Sequence, residues 1–522
     1  MLKLKIDNMK TEKQTPYTKH VELNLWIVYT ICLFLSAIFF LLFGFNSPIF
    51  KFNTDHDYQW FMTMGNGLVN GKIPYRDLFE QKGPIVFFVT AFCCLFPKPG
   101  IIMLILEIFS MSLFFFFAYR ICHKILNSFY SLLAILLIAF AIFTSWCRIF
   151  SAATVEEFML PICAYILLCW LEFLIEKHHW NSTRAMCLGI CLSIMLWTKY
   201  TLLYFALTPL VSWLIISLRR QQYQTLVVNL AMILCGAIII STPILLFYAL
   251  HHALDNLFHV YFYINLTVYT NTSLLTILSN FTYIFKIGPF ILALIILGII
   301  YFTIKHWTNR SGWLLLISFL VNIILISMST KGITYYYGVL IPYGILGALY
   351  IVNWLKTKFN LQQHAKIFFI TFTCSLLLLC IPCSVATKDW GRKQNEYTPL
   401  VVAEVIQNYA STHNTEATLF CYKLWDYGFY NALNITPNQY YYANNYIPEE
   451  DFPAMYTAFE NYIKNQNSNF IITELDTWEK EKDFLGTYYQ LYDESLSNSM
   501  FSYNKNNYVA YKNYQFVLLI KK

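Results

Sequence analysis

The sequence predicts a polytopic α-helical membrane protein of about eleven spans, N-terminus in and C-terminus out, followed by a small extracytoplasmic α/β domain. Three observations predict it. Of 522 residues, 57% are hydrophobic and only 12% charged, with a mean hydropathy of +0.49, too little polar surface to cover several soluble domains. Apolar runs of about 20 residues, the length that crosses hydrocarbon, recur from residue 25 to residue 386. Beyond residue 387, Tyr, Asn, Glu and Lys become frequent and the apolar runs shorten to strand length. A β-barrel is excluded, because it would show short alternating strands, whereas helices satisfy their backbone bonds one segment at a time.

Lys3, Lys5, Lys10, Lys13 and Lys19 precede the first apolar run with no small-residue cleavage site after it, so residues 1–24 read as the cytoplasmic flank of a retained anchor. Spans are expected near 25–45, 101–119, 126–146, 157–175, 185–198, 201–218, 226–249, 283–304, 312–329, 338–355 and 367–386. With the N-terminus inside, Arg120 and Lys124, Lys177 and Arg184, Arg219 and Arg220, Lys305 and Arg310, and Lys356, Lys358 and Lys366 all fall in cytoplasmic loops, as the positive-inside rule asks. Lys199 interrupts the apolar run in WTKYT, and two short spans with a tight outer turn keep this parity. The first long loop, 46–100, and everything after 387 then face outward.

In the tail, TLFCY (418–422), NFIITE (469–474), YVAYK (508–512) and FVLLI (516–520) are expected as strands, with residues 449–467 as an amphipathic helix. The aromatic clusters 425–430 and 440–446 have two readings, packing or contact with a sugar or lipid head group. The 14 cysteines lie mostly inside apolar runs and form no disulfide or zinc framework. A net charge of +7 is accounted for by cytoplasmic loops, and no basic stripe interleaved with stacking aromatics indicates nucleic acid.

Charge concentrates where it is least expected. Between Phe52 and Phe88 stand Asp55, His56, Asp57, Arg76, Asp77, Glu80 and Lys82, with Gly65, Gly67, Gly71 and Pro74 shaping the backbone. An ionised carboxylate at a membrane surface can accept a proton or hold a cation; the plain alternative is that DHD only makes a solvated turn. Arg76 and Lys82 offer a guanidinium and an ammonium to an anion such as a phosphate. Glu156 and Glu157 stand at the outer start of the fourth span, where acidic side chains also favour a helix N-terminus and Thr154 could be the cap. Lys199 would cost about 3 kcal/mol at mid-bilayer, so it needs a partner or a ligand. Lys331, beside the tyrosine triplet 335–337, takes an equivalent outer position, with an interfacial aromatic belt as the alternative reading of the tyrosines.

The pattern D-x7-G-x5-G-x2-PYRD-x4-KGP, from Asp57 to Pro84, resembles the first extracytoplasmic loop of GT-C glycosyltransferases of the protein O-mannosyltransferase and aminoarabinose-transferase-like branch. The resemblance implies a GT-C-like fold over residues 25–386 and a site in the first outer loop. It further implies inverting transfer of a sugar from a polyprenyl-phosphate carrier to a glycan, lipid or protein acceptor. Asp57 matches the family's acidic position, with Asp55 second; Glu156 and Glu157 would add carboxylates to the same cavity; Arg76 and Lys199, then Lys82 and Lys331, would contact the donor phosphate. No nucleotide-binding fingerprint is present. No cofactor is called for, and a divalent cation held by Asp55 and Asp57 is possible without being required. A transporter or flippase of lipid-linked glycans is the alternative of another class, and would show paired halves of broken helices, for which no internal repeat speaks. A polysaccharide ligase or polymerase would share the donor chemistry.

Overall fold

The computed structural model describes residues 23–146, 152–177, 180–268, 273–306, 311–329, 332–359, 361, 365–444, 447–506 and 511–522. Most of the expected flank 1–24, and Lys331, lie outside them. The membrane part comprises α1 (Leu25–Phe43), α2 (His56–Val69), α3 (Pro84–Cys94), α4 (Pro99–Cys122), α5 (Ser128–Phe143), α6 (Val155–Glu172), α7 (Ser182–Lys199), α8 (Tyr204–Arg219), α9 (Tyr223–Leu250), α10 (Pro289–Lys305), α11 (Ser311–Ser327), α12 (Gly344–Lys358) and α13 (Ala365–Cys383).

Among the described residues, seven helical runs are long and apolar enough to cross a membrane. An eighth is added if the bent pair Leu274–Lys286 and Pro289–Lys305, at 106°, counts as one. Each expected span falls on an apolar helix, but α5 and α11 are short, at 16 and 17 residues. The run Ser182–Arg219 counts once by length, yet it doubles back. Lys199 is extended, with φ −163° and ψ 101°. Trp180, just ahead of α7, stacks on Trp213 in α8 at 4.8 Å between ring centroids. The chain therefore reverses at Lys199, as two short helices with a tight turn require. α9 then runs beside α7 in the same direction, pairing Gly189 with Ile233, Ser193 with Ala237 and Trp197 with Ser241. A Cβ at Gly189 would collide with the Ile233 carbonyl, so small residues set this close approach.

The two ends of the bundle differ. At one, the buried Glu172 carboxylate bridges Lys124 and Arg184 at 2.8 and 2.6 Å. At the other lie the loop before α3, the starts of α2 and α6, the α7–α8 reversal and the whole C-terminal domain.

That domain contains α14 (Thr398–His413), α15 (Pro453–Lys464), α16 (Leu475–Tyr488) and strands β1 (Leu419–Cys421), β2 (Phe470–Glu474), β3 (Tyr489–Leu491), β4 (Met500–Asn506) and β5 (Tyr511–Lys521). Strand order is β1-β2-β5-β3, with β4 also paired to β5. β1 and β2 are parallel, and the remaining pairs are antiparallel. The two strands expected at 508–512 and 516–520 become one long strand from 511, because pairing with β4 carries the ladder through Asn513 and Tyr514. Residues 516–520 are fully buried between neighbours, which explains their unbroken apolar run.

The domain sits on the first long loop through its aromatic segments. Trp425 and Tyr442 flank Trp60 at 4.5 and 5.0 Å, and Tyr440 exchanges hydrogen bonds with Phe79 N–H and the Tyr75 carbonyl. Of the two readings of these clusters, packing is the one the geometry shows.

Candidate functional site

α2 starts where Asp55 takes the N-cap position and its carboxylate accepts from Tyr58 N–H at 3.1 Å. This places Asp57 in the first turn, half-buried, where its carboxylate is hydrogen-bonded by the Tyr335 hydroxyl. The two aspartates of DHD thus differ: one spends an oxygen on the helix cap, the other faces the neighbouring helices.

Gly83 brings the loop against the α7–α8 reversal. Its N–H donates to the Thr198 carbonyl at 3.0 Å, and a Cβ there would collide with the Trp197 carbonyl, so only glycine permits this approach. Lys82 and Lys199 consequently sit on two segments that touch. Lys199 Nζ lies 2.5 Å from Glu156 Oε1 and 3.6 Å from the ring centre of Tyr336, within cation–π range. Lys82 Nζ is 3.9 Å from Glu80 Oε1. Burial pulls Lys82 downward, but the carboxylates of Glu80 and Asp57 outweigh it and hold the ammonium above the ordinary lysine range. Burial raises Glu80, against the opposing pull of Lys82. The loop therefore keeps a cation beside Asp57 at neutral pH.

A cavity of about 350 Å³ opens from this cluster. Lys82, Glu156, Lys199 and Tyr336 form its polar head, and the rest of its lining is largely apolar, with Leu202, Leu325, Ile326 and Val339 beside the polar Gln81 and Asn265. Asn265 ties its rim to the loop by donating to the Gln81 carbonyl at 2.9 Å. A charged head beside a largely apolar lining suits a ligand that is anionic at one end and hydrocarbon at the other.

The other expected residues are placed differently. Arg76 pairs with Asp77 at 2.8 Å and donates to the His251 carbonyl at 2.9 Å; it is not among the cavity's lining residues. Its bond to Asp77 holds that carboxyl below the usual range. Glu157 turns away from Glu156, its Oε2 accepting from Ala152 and Ala153 N–H at 3.1 Å each. Thr154 occupies the N-cap position of α6 with no side-chain bond into the first turn. Among the described residues no group of three or more His, Cys, Asp or Glu comes together to hold a metal ion. Reading the sequence missed Tyr335 and Tyr336, which look like an interfacial belt, and Glu107, a lone carboxylate in an apolar run whose rarity was itself the signal.

This arrangement is that of a multi-pass membrane protein, and part of its sequence and nearly all of its fold are similar to known proteins. Residues 81–247 match the family model for dolichyl-phosphate-mannose-protein mannosyltransferase, a stretch holding Lys82, Glu156, Glu157 and Lys199. The crystal structure of ArnT from Cupriavidus metallidurans in the apo state is similar over 95% of this chain and 97% of that one, with a TM-score of 0.58 at 12% identity. Two structures from Archaeoglobus fulgidus are also similar. One is the oligosaccharyltransferase AglB with an inhibitory peptide and a dolichol-phosphate, at TM-score 0.47 and 10% identity over 94% of this chain and 74% of that one. The other is the apo oligosaccharyltransferase, at TM-score 0.47 and 13% identity over 91% and 72%. No curated protein matches the chain in sequence.

Proposed function

We propose that the protein is an inverting glycosyltransferase that moves a sugar from a polyprenyl-phosphate carrier to a glycan, lipid or protein acceptor. The observation that carries this reading is the meeting of Lys82, Glu156 and Lys199, from three distant segments, at the head of a largely apolar cavity, with Asp57 interacting with Lys82 from beside it. The polyprenyl chain would lie along Leu202, Leu325 and Val339, with its phosphate between Lys82 and Lys199. Asp57 takes the proton of the acceptor hydroxyl as that oxygen bonds to the anomeric carbon. The bond from that carbon to the phosphate oxygen breaks on the opposite face, and the two ammonium groups stabilise the charge gathering on the departing phosphate. Tyr335 orients the Asp57 carboxylate. Arg76, engaged by Asp77 and His251, takes no part in this reading.

The positive-inside pattern supports eleven crossings with a cytoplasmic N-terminus, which puts the 46–100 loop, the cavity head and the domain from 387 onward on the extracytoplasmic side. The test uses the full chain in lipid nanodiscs with a polyprenyl-phosphate monosaccharide. Release of polyprenyl phosphate that disappears in Asp57→Asn supports the reading, whereas lipid translocation without bond cleavage would indicate a flippase instead.

A further inference from the structure

Glu107 stands mid-helix in α4 and is fully buried, a position where a carboxylate persists only with partners. Its Oε2 accepts from Asn46 Nδ2 at 3.0 Å. Asn46 Oδ1 accepts from Asn53 Nδ2 at 3.1 Å, and Asn53 Oδ1 accepts from Asp55 N–H at 2.9 Å. Asp55 then caps α2, two residues before Asp57. An ionised oxygen can only accept, so the carboxylate end dictates which way both asparagine amides turn, and every donor in the chain points back toward Glu107.

The other side of Glu107 meets Glu157. The two carboxyls hydrogen-bond each other, and neither Glu107 Oε1 nor Glu157 Oε1 has any other partner among the described residues. A single proton shared between them would satisfy both oxygens. Glu157 Oε2 holds the Ala152–Ala153 turn, where Ala153 is left-handed at φ 60°, and this turn launches α6 with Glu156 beside it.

We propose that the Glu107–Glu157 carboxyl pair positions the site: through Asn46 and Asn53 it holds the start of α2 with Asp57, and through the Ala152–Ala153 turn it holds the start of α6 with Glu156. The pair touches no substrate; it sets the spacing between the base and the Glu156–Lys199 pair. This inference rests on the function proposed above, which assigns those residues their roles.

Glu107→Gln keeps an oxygen for Asn46 and offers an amide N–H to Glu157, whereas Glu107→Leu breaks both links and Asn53→Ala cuts the relay without touching the helix interior. In nanodiscs, Glu107→Leu and Asn53→Ala should lower the turnover of a polyprenyl-phosphate monosaccharide by about 10- to 100-fold, the scale of a small misplacement of a base. Affinity for polyprenyl phosphate itself should stay within about threefold, as expected when binding contacts are untouched. Glu107→Gln should retain most of the turnover. The infrared band of a protonated carboxylic acid should be present in the parent protein and absent in Glu107→Gln. Wild-type turnover in correctly folded Asn53→Ala, or Glu107→Gln as damaged as Glu107→Leu, would overturn the inference. If the parent protein turns over no such donor, the functional reading fails instead, and hydrogen exchange still decides the positioning. Amides at 55–60 and 152–157 should lose protection in Glu107→Leu but not in Glu107→Gln; unchanged protection in both counts against it.

Discussion

Replacing Lys199 by Met tests how the cavity head manages its charges. Lys199 and Glu156 lie 2.5 Å apart with side chains 13% and 2% exposed. Their mutual attraction at an effective dielectric of ~20 is about 7 kcal/mol. Most of that is consumed in stripping water from both ions, so the pair's net stabilisation is small. Removing one partner is different, because it strands Glu156 as a buried, unpaired charge, at about 3–5 kcal/mol. Lys199→Met should therefore be clearly less stable than the parent, and Lys199→Met/Glu156→Gln, which removes both charges, should recover much of the loss. Polyprenyl phosphate supplies a second readout. If Glu156 holds Lys199 until the lipid phosphate arrives, the two carry opposite signs in binding. Lys199→Met should weaken polyprenyl phosphate by roughly 10- to 100-fold, the worth of a charge-assisted hydrogen bond, while Glu156→Gln should tighten it. Affinity is measured by tryptophan fluorescence in nanodiscs, and stability by the detergent-resistant midpoint of each variant. The reasoning fails if Glu156→Gln weakens the lipid as much as Lys199→Met does, since the pair would then be a strut and the phosphate would bind elsewhere.

Three further outcomes follow from the geometry. Asp57→Asn should cut transfer by about 100- to 10,000-fold while leaving polyprenyl-phosphate affinity intact; Asp55→Asn, still a good helix cap, should be mild, and Asp55→Ala should cost about 1 kcal/mol, as a denaturation series would show. Gly83→Ala should disable the protein, because its Cβ meets the Trp197 carbonyl and parts the Lys82 and Lys199 segments; full turnover in this variant would contradict the packing described. Asp426, buried beneath Thr63 and the Gly428 and Phe429 N–H groups, is pushed by burial up to about 6. The folded chain thus holds its proton between about pH 4 and 6, where the unfolded chain does not. The stability of the folded chain should therefore rise as pH falls through that window, by at most about 3 kcal/mol. Asp426→Asn should abolish this dependence, measured by hydrogen exchange at 59–66.

How much of this could be read from residues alone depended on what kind of signal each one carried. Charge in an apolar chain is legible wherever it stands, and it led to Asp55, Asp57, Arg76, Lys82, Glu156, Glu157, Lys199 and Lys331. Of these, Lys82, Glu156 and Lys199 line one cavity with Asp57 interacting with Lys82, Arg76 and Glu157 turn elsewhere, and Lys331 lies outside the described residues. Spacing favours Asp57 over Asp55 as the proposed base, and in the fold Asp55 spends its carboxylate on capping the helix that carries Asp57. The doubling back at Lys199 was legible through charge parity, although length alone would merge α7 and α8 into one run. What a one-dimensional pattern does not carry is which way a loop faces. Asp77 accepts from Ile73 N–H at 2.7 Å, and Tyr75 adopts φ 69°. That tight turn directs Arg76 toward His251, and so the later cation of the loop reaches the cavity.

Aromatic residues were ambiguous for a related reason. Tyr335 and Tyr336 sit in a triplet that any interfacial belt would show, and their partners, Asp57 and Lys199, come from segments more than 130 residues away. The tail's Trp425 and Tyr440 likewise carry the composition of a sugar platform, yet both pack against rings of the first long loop, Trp60 and Phe79. Glu107 is the instructive case, because its signal was as strong as that of Lys199. An acid buried in an apolar helix needs an explanation as much as a base does, and here it lies in Asn46, Asn53 and Glu157, three uncharged or already engaged groups that nothing in the local sequence marks as partners. The site is thus better described as two layers, an outer one of charges that the composition exposes and an inner one of amides and a buried carboxyl pair that only the packing reveals. The Asn53→Ala and Glu107→Leu variants separate the two layers, since they leave every charge of the outer layer in place.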